Sequence, residues 1–213
     1  MTKLLILYYS RHGSTRALAE CIAEGVESVQ HCEAILRTVP PVTSVVQAPQ
    51  AAVPSTGSPY VALIDLESCA GLAIGSPTRF GNMADAMKHF IDQTAGLWLK
   101  GALIGKPACV FTSSTSAHGG QESTLLSMMI PLLHHGALIM GIPYNESALT
   151  TTRSGGSPYG ATHHALGDVT GLSDDEKILA KAQGRRLALT ARALEVSTAA
   201  LHTSTASSFS SAP

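Results

Sequence analysis

Three short segments hold most of the side chains that could do chemistry. Ser10-Arg11-His12-Gly13-Ser14-Thr15 offers three hydroxyls and a glycine that lets a ligand approach the backbone, directly ahead of an amphipathic stretch. The free N–H groups and the dipole at a helix start favour an anion, so a phosphate fits here. Each charge-assisted hydrogen bond contributes roughly 1.5–3 kcal/mol, and four or five of them, discounted for ordering, reach the ~8 kcal/mol of a micromolar ligand without any lysine. The same turn could also do no more than cap the helix. A Walker A loop for a metal-bound triphosphate is missing: Gly101 to Lys106 followed by Pro107 is one residue short and lacks the hydroxyl. No Gly-x-Gly-x-x-Gly dinucleotide fingerprint occurs either.

Ser76-Pro77-Thr78-Arg79-Phe80-Gly81-Asn82 and Thr112-Ser113-Ser114-Thr115-Ser116-Ala117-His118-Gly119-Gly120 are polar loops of the same kind. A monophosphate alone does not require them. Backbone amides around Thr78 to Phe80 and Ser113 to His118 could hydrogen-bond the edge of a heteroaromatic ring while apolar side chains cover its face. Three such segments reaching one ligand suggest a mononucleotide with a large ring. Nine histidines are present, but His12, His118, His134 and the pair His163-His164 show no spacing of a zinc or facial-triad site, so no metal is expected. His134 and His135 at a helix end read most simply as partners for terminal carbonyls. Trp98, the sole tryptophan, reads by itself as core.

The elements that must position these loops follow from the apolar pattern. Lys3 to Tyr9 is a continuous β-compatible run, the mark of a strand covered on both faces. Leu18, Ile22 and Val26 then recur on one helical face with Glu20, Glu24 and Glu27 off it. Cys32 to Arg37 is a second strand, and Pro40, Pro41, Pro49, Pro54 and Pro59 mark an irregular insertion over about 40–60. Gly71 to Gly75 forms a third strand. Asn82 with Asp85 resembles a capping pair ahead of a helix carrying Met83, Met87, Phe90 and Ile91. Ala108 to Phe111 is a fourth strand, followed by a helix with Leu125, Met128, Met129, Leu132 and Leu133, and Ala137 to Ile142 is a fifth. Residues 143–171 read as a long loop. Ser173 with Glu176 forms a capping box that opens the last helix, and from 197 to 213 a Ser/Thr/Ala tail is too polar and small to sustain a core.

The pattern specifies the α/β class: one domain over 1–196, an open five-stranded parallel sheet with helices on both faces. In such sheets ligands bind outside the carboxyl ends of the strands, at the topological switch point. The three polar loops all follow strands.

Composition limits the remaining choices. The 213 residues carry a net charge of −1 with 14% charged residues, so the basic stripe that duplex nucleic acid requires is missing and no nucleic-acid partner is expected. Cys21, Cys32, Cys69 and Cys109 include no Cys-x-x-Cys pair and read as reduced thiols in a reducing cytosol. The Leu4 to Tyr9 run is too short for a signal-peptide core. Leu125 to Pro143 is interrupted by Pro131, His134, His135 and Gly136, so no membrane span is expected. A cytoplasmic protein follows.

Tyr8-Tyr9-Ser10-x-x-Gly13, Gly75 to Met83, Phe90-Ile91-Asp92-Gln93-Thr94, Gly96-Leu97-Trp98, His118 to Glu122 and Gly155 to Ala161 together resemble the WrbA-type NAD(P)H:quinone oxidoreductases, which are flavodoxin-like FMN proteins. The match runs from residue 3 to about 195. It implies FMN as cofactor, with Ser10, Arg11, His12, Gly13, Ser14 and Thr15 on the phosphate. Thr78 to Phe80 and Ser113 to His118 would surround the isoalloxazine, with Pro77, Gly81, Asn82, Thr112 and Gly119 completing those loops and His134 touching the ring. Trp98 would stand beside the flavin face where quinone or nicotinamide stacks, next to His12, a position that is commonly tyrosine in the family. Arg79 could favour the anionic reduced flavin or stand solvated at the surface.

The implied reaction is ping-pong: NADH or NADPH delivers hydride to FMN and leaves, and a quinone then collects two electrons at the same face. Homotetramers are implied, with the site near subunit contacts and the Met-rich helix and the 145–171 loop as interface elements. Two readings of another class share the fold. A one-electron carrier is usually strongly acidic, unlike this chain, and a regulatory interaction module would bind no flavin. Nitro- or azo-compound reduction on the same site is a nearer variant.

Overall fold

The computed structural model describes residues 1–42, 54, 56–165 and 171–208, with side chains up to Val196. Strands β1 (Thr2–Tyr8), β2 (Cys32–Thr38), β3 (Gly71–Pro77), β4 (Pro107–Ser114) and β5 (Leu138–Ile139) form a parallel sheet in the order β2-β1-β3-β4-β5. The chain steps outward from β1 to β2 and then returns to β1's other side with β3. That reversal makes the β1/β3 boundary the switch point.

The central strands β1, β3 and β4 are buried on both faces, as their unbroken apolar runs require. Leu4 and Ile6 point to a layer made by α1 (Ser14–Glu27) and α7 (Asp174–Ser208), where Leu18, Ile22, Val26, Leu179 and Leu187 join them. Leu5 and Leu7 point the other way, into a layer built with α2 (Leu63–Ser68), α3 (Asp85–Asp92), α4 (Ala95–Leu99) and α5 (Gln121–His134). Met87, Phe90, Leu125, Met128 and Leu132 fill that side. Among the described residues no helix is long and apolar enough to cross a membrane.

Several elements differ from the sequence reading. The 143–171 stretch is not a plain loop: it contains α6 (Ala148–Thr151) and a sixth strand, β6 (Ala161–His164), which pairs in parallel with the end of β4. The reason lies in β5, which is two residues long and pairs only with Pro107 and Ala108, leaving the edge of β4 from Phe111 to Ser114 open for β6. A Cβ on Gly160 would stand 2.1 Å from the Val110 carbonyl oxygen, so only glycine lets the chain enter here. Asn82 and Asp85 do not form a cap. Asn82 Oδ1 accepts from the next amide, Met83 N, and Ser76 Oγ instead accepts from Ala84 N at the start of α3. The Ser173/Glu176 capping box forms, with Glu176 N to Ser173 Oγ at 3.2 Å and Ser173 N to Glu176 Oε2 at 2.9 Å. The α7 backbone continues through the first residues of the expected tail as far as Ser208. Residues 43–53 and 55 of the Pro-rich insertion, and 209–213 of the tail, lie outside the described residues.

Candidate functional site

The carboxyl ends of β1, β3 and β4 open into one pocket of about 330 Å³. Its lining comes from all three polar loops: Ser10, Arg11, His12, Ser14 and Thr15 from the first, Pro77, Thr78, Arg79 and Phe80 from the second, and Ser113, Ser114, Thr115, Ser116 and Gly119 from the third.

The first loop delivers the start of α1. Gly13, at φ +96, turns the chain into the helix, and no side chain caps it. Its first turn also lacks an acidic residue. Of the two readings of this turn, capping is therefore not what its hydroxyls do, and the helix start is left for an anion. Ser10 Oγ accepts from Gly13 N at 3.1 Å, which shapes the loop. Thr15 is buried, and its hydroxyl lies 2.8 Å from Ser113 Oγ, tying the first loop to the third.

The second loop is a tight two-residue turn. Arg79 N donates to Asn82 O at 2.7 Å and Asn82 N donates back to Arg79 O at 2.9 Å. Phe80 (φ +50) and Gly81 (φ +74) are both left-handed, the geometry of a type I′ turn. Phe80 is thereby held fully exposed at the pocket mouth, in a conformation that costs a non-glycine residue about 1 kcal/mol or more. Thr78 N donates to Ser113 O at 2.9 Å, and Thr112 Oγ1 donates to Ser76 O at 2.7 Å, so the second and third loops are tied as well. In the third loop Ser114 Oγ donates to Ser116 O and accepts from Gln121 Nε2, both at 2.8 Å.

Among the described residues no aspartate or glutamate lines the pocket, while Arg11 and Arg79 do. An uncapped helix start, hydroxyls and guanidinium groups fit a phosphate. Pro77, Phe80 and Ala165 offer apolar surface to a ring. Ala165 was not anticipated, because it follows a strand whose Thr162-His163-His164 sequence carries no apolar run.

Not every expected residue reaches this pocket. Gly13 and Gly81 act through their backbones, and Thr112 is buried behind the wall. Ala117 and His118 are exposed away from the lining. Asn82, Trp98 and His134 line a neighbouring depression of about 480 Å³ between α3, α4 and α5. There Trp98 Nε1 donates to His134 O at 3.0 Å. Trp98 is 53% exposed and so is not core. Beside it His135 Nε2 lies 2.9 Å from Thr94 Oγ1, and burial together with the neighbouring His134 holds the His135 imidazole below its ordinary pKa. Among the described residues no three His, Cys, Asp or Glu side chains gather as metal ligands would.

A doubly wound parallel sheet with three polar loops meeting at its switch point defines a flavodoxin-like mononucleotide-binding protein. Residues 2–147 match the NADPH-dependent FMN reductase family, and the chain belongs to it. A protein of Syntrophobacter fumaroxidans named NAD(P)H dehydrogenase (quinone) is 44% identical over 202 residues, covering 90% of this chain and 98% of its own. One of the same name from Trichlorobacter lovleyi is 43% identical over 201 residues, with 90% and 98% covered. Among solved structures, a flavodoxin, WrbA-like protein from Agrobacterium tumefaciens superposes with a TM-score of 0.63 at 22% identity, over 90% of this chain and 98% of that one. An archaeal flavodoxin gives 0.60 at 19% identity, over 90% and 99%. The parallel α/β fold expected from the sequence is the observed one.

Proposed function

We propose that the chain is an FMN-dependent NAD(P)H:quinone oxidoreductase that reduces quinones to hydroquinones by two electrons. The observation that carries this reading is the convergence of three polar loops, one of them an uncapped and acid-free helix start, on a single pocket. Bound there, FMN would supply the two-electron redox chemistry between NAD(P)H and a quinone. The protein binds and orients. Amides at the start of α1, with Ser10 and Ser14, hold the phosphate. The backbone at Phe80 and of Ser113 to Ser116 holds the ring edge, and Arg79 supplies positive charge where negative charge develops on reduction. Trp98 beside His134 provides the stacking surface for nicotinamide or quinone. A cytoplasmic homotetramer is the proposed setting. The four cysteines are free thiols, which suits a reducing compartment.

Ser14 is the position that tests the phosphate site. Thr15 is buried, but Ser14 is half-exposed at the first turn of α1 and lines the pocket. Ser14→Asp adds an acidic residue where the helix dipole favours one, by about 0.3–1 kcal/mol, yet sets a carboxylate against the phosphate. The expected outcome is an undiminished melting temperature with FMN affinity weakened at least about tenfold, or 1.4 kcal/mol. Unchanged flavin retention would remove the first loop from the site. Steady NADH oxidation by the loaded enzyme with benzoquinone and no partner protein separates the oxidoreductase from a one-electron carrier.

A further inference from the structure

The pocket has a fourth wall that none of the three loops provides. Ala165 lines it and donates its N–H to Ser114 O at 2.9 Å. It hangs from the end of β6, a four-residue strand that among the described residues pairs with β4 alone. So short a strand needs other support.

Helix α7 supplies that support with two buried polar side chains seven residues apart, hence on one helical face. Gln183 fills a gap in the ladder: its Oε1 accepts from Ala161 N at 2.7 Å and its Nε2 donates to Val110 O at 2.8 Å. Glu176 does more. Its Oε1 accepts from Gly155 N at 2.7 Å and from His164 N at 3.1 Å, and its Oε2 accepts from Ser173 N at 2.9 Å and from His163 Nδ1 at 2.8 Å. A capping box needs only the Ser173 contact. The other three donors all belong to 155–164, the segment that delivers Ala165. An ionised carboxylate is acceptor-only, so His163 donates to it from Nδ1–H, and the buried His163 Nε2 has no partner among the described residues.

Resting on the flavin reading above, we propose that Glu176 is a positioning residue for the flavin pocket, latching β6 to α7 so that Ala165 stays against the third loop. The carboxylate touches neither cofactor nor substrate. It acts through the strand.

The test uses the full chain with Glu176→Ala, Glu176→Gln and Ser173→Ala, reading FMN dissociation constants by fluorescence and amide hydrogen exchange across 161–165. Ser173→Ala removes the cap hydroxyl but leaves all three donors from 155–164 on the carboxylate. Glu176→Ala should weaken FMN by about tenfold and speed exchange at 161–165, while Ser173→Ala leaves FMN affinity near wild type. Glu176→Gln, which keeps an oxygen for Gly155 and His164, should fall between them, and it carries the test if the alanine variant does not fold. If the Glu176 variants bind FMN no more weakly than Ser173→Ala does, or if exchange at 161–165 is unaltered, the latch is overturned. If wild type takes up no FMN at all, the flavin reading falls and this proposal with it; a flavin-loaded wild type with unaffected Glu176 variants overturns the latch alone.

Discussion

A carboxylate as deeply buried as Glu176 must stay ionised, because only the ionised form accepts from four donors. Burial alone pushes its pKa up, but the His163 hydrogen bond and the amides of Ser173 and His164 outweigh it and hold the pKa at about 2, against an ordinary 4.5. The folded value lies below the unfolded one, so the stabilisation is fully present above pH 4.5 and disappears as the pH falls through 2. It amounts to roughly 3 kcal/mol. The expected result is that wild type exceeds Glu176→Gln in urea midpoint at pH 6, and that the gap narrows below pH 4.5 and closes near pH 2. A gap that is constant across that range would remove the carboxylate's charge from the account. At this scale the sequence was informative where chemistry is local. The polar strings after apolar runs marked all three loops, and Ser173 with Glu176 marked the cap. The remaining donors to Glu176 lie 12 to 21 residues away along the chain, a separation with no periodic signal.

Helix α1, which presents its N-terminus to the proposed phosphate site, is set in place by its crossing with α7. A Cβ on Gly184 would lie 2.0 Å from the Ile22 carbonyl oxygen, and one on Gly25 would lie 2.1 Å from that of Lys181. Glycine costs about 1 kcal/mol inside a helix, and both positions accept that cost because the two backbones touch. Gly184→Ala should therefore destabilise by about 1–3 kcal/mol despite its better helix propensity, as read by chemical denaturation. A stabilised variant would show that the crossing can open without loss. Element by element, the apolar runs disclosed β1 to β4 and the periodic faces disclosed α1, α3 and α5. Strand β6 stayed hidden because its Thr162-His163-His164 sequence follows neither a buried nor an alternating pattern. Its pairing is decided by the free edge of β4 and by α7, both remote in sequence.

For the molecule as a whole, α5 presents an apolar stripe that the described residues leave uncovered. Leu125, Met128 and Leu132 bury one side of it, yet Leu126, Ile130 and Leu133, spaced i, i+4, i+7, are 46%, 58% and 59% exposed on another. A helix that is apolar all round is normally covered all round. Ile130 and His134 also line the depression that holds Trp98, so the uncovered stripe borders the proposed stacking surface. Packing of α5 against a second copy in the proposed homotetramer would cover the stripe and enclose that depression. Ile130→Glu places a charge in the centre of the stripe without touching the core or the phosphate loop. It should lower the assembly state in size-exclusion chromatography with light scattering, keep the wild-type melting behaviour of the subunit, and retain FMN. Quinone turnover should fall more than flavin content, because the proposed flavin pocket is lined by one chain and the surface around Trp98 would be completed by the neighbour. An unchanged assembly state in this variant would move the subunit contact to another face.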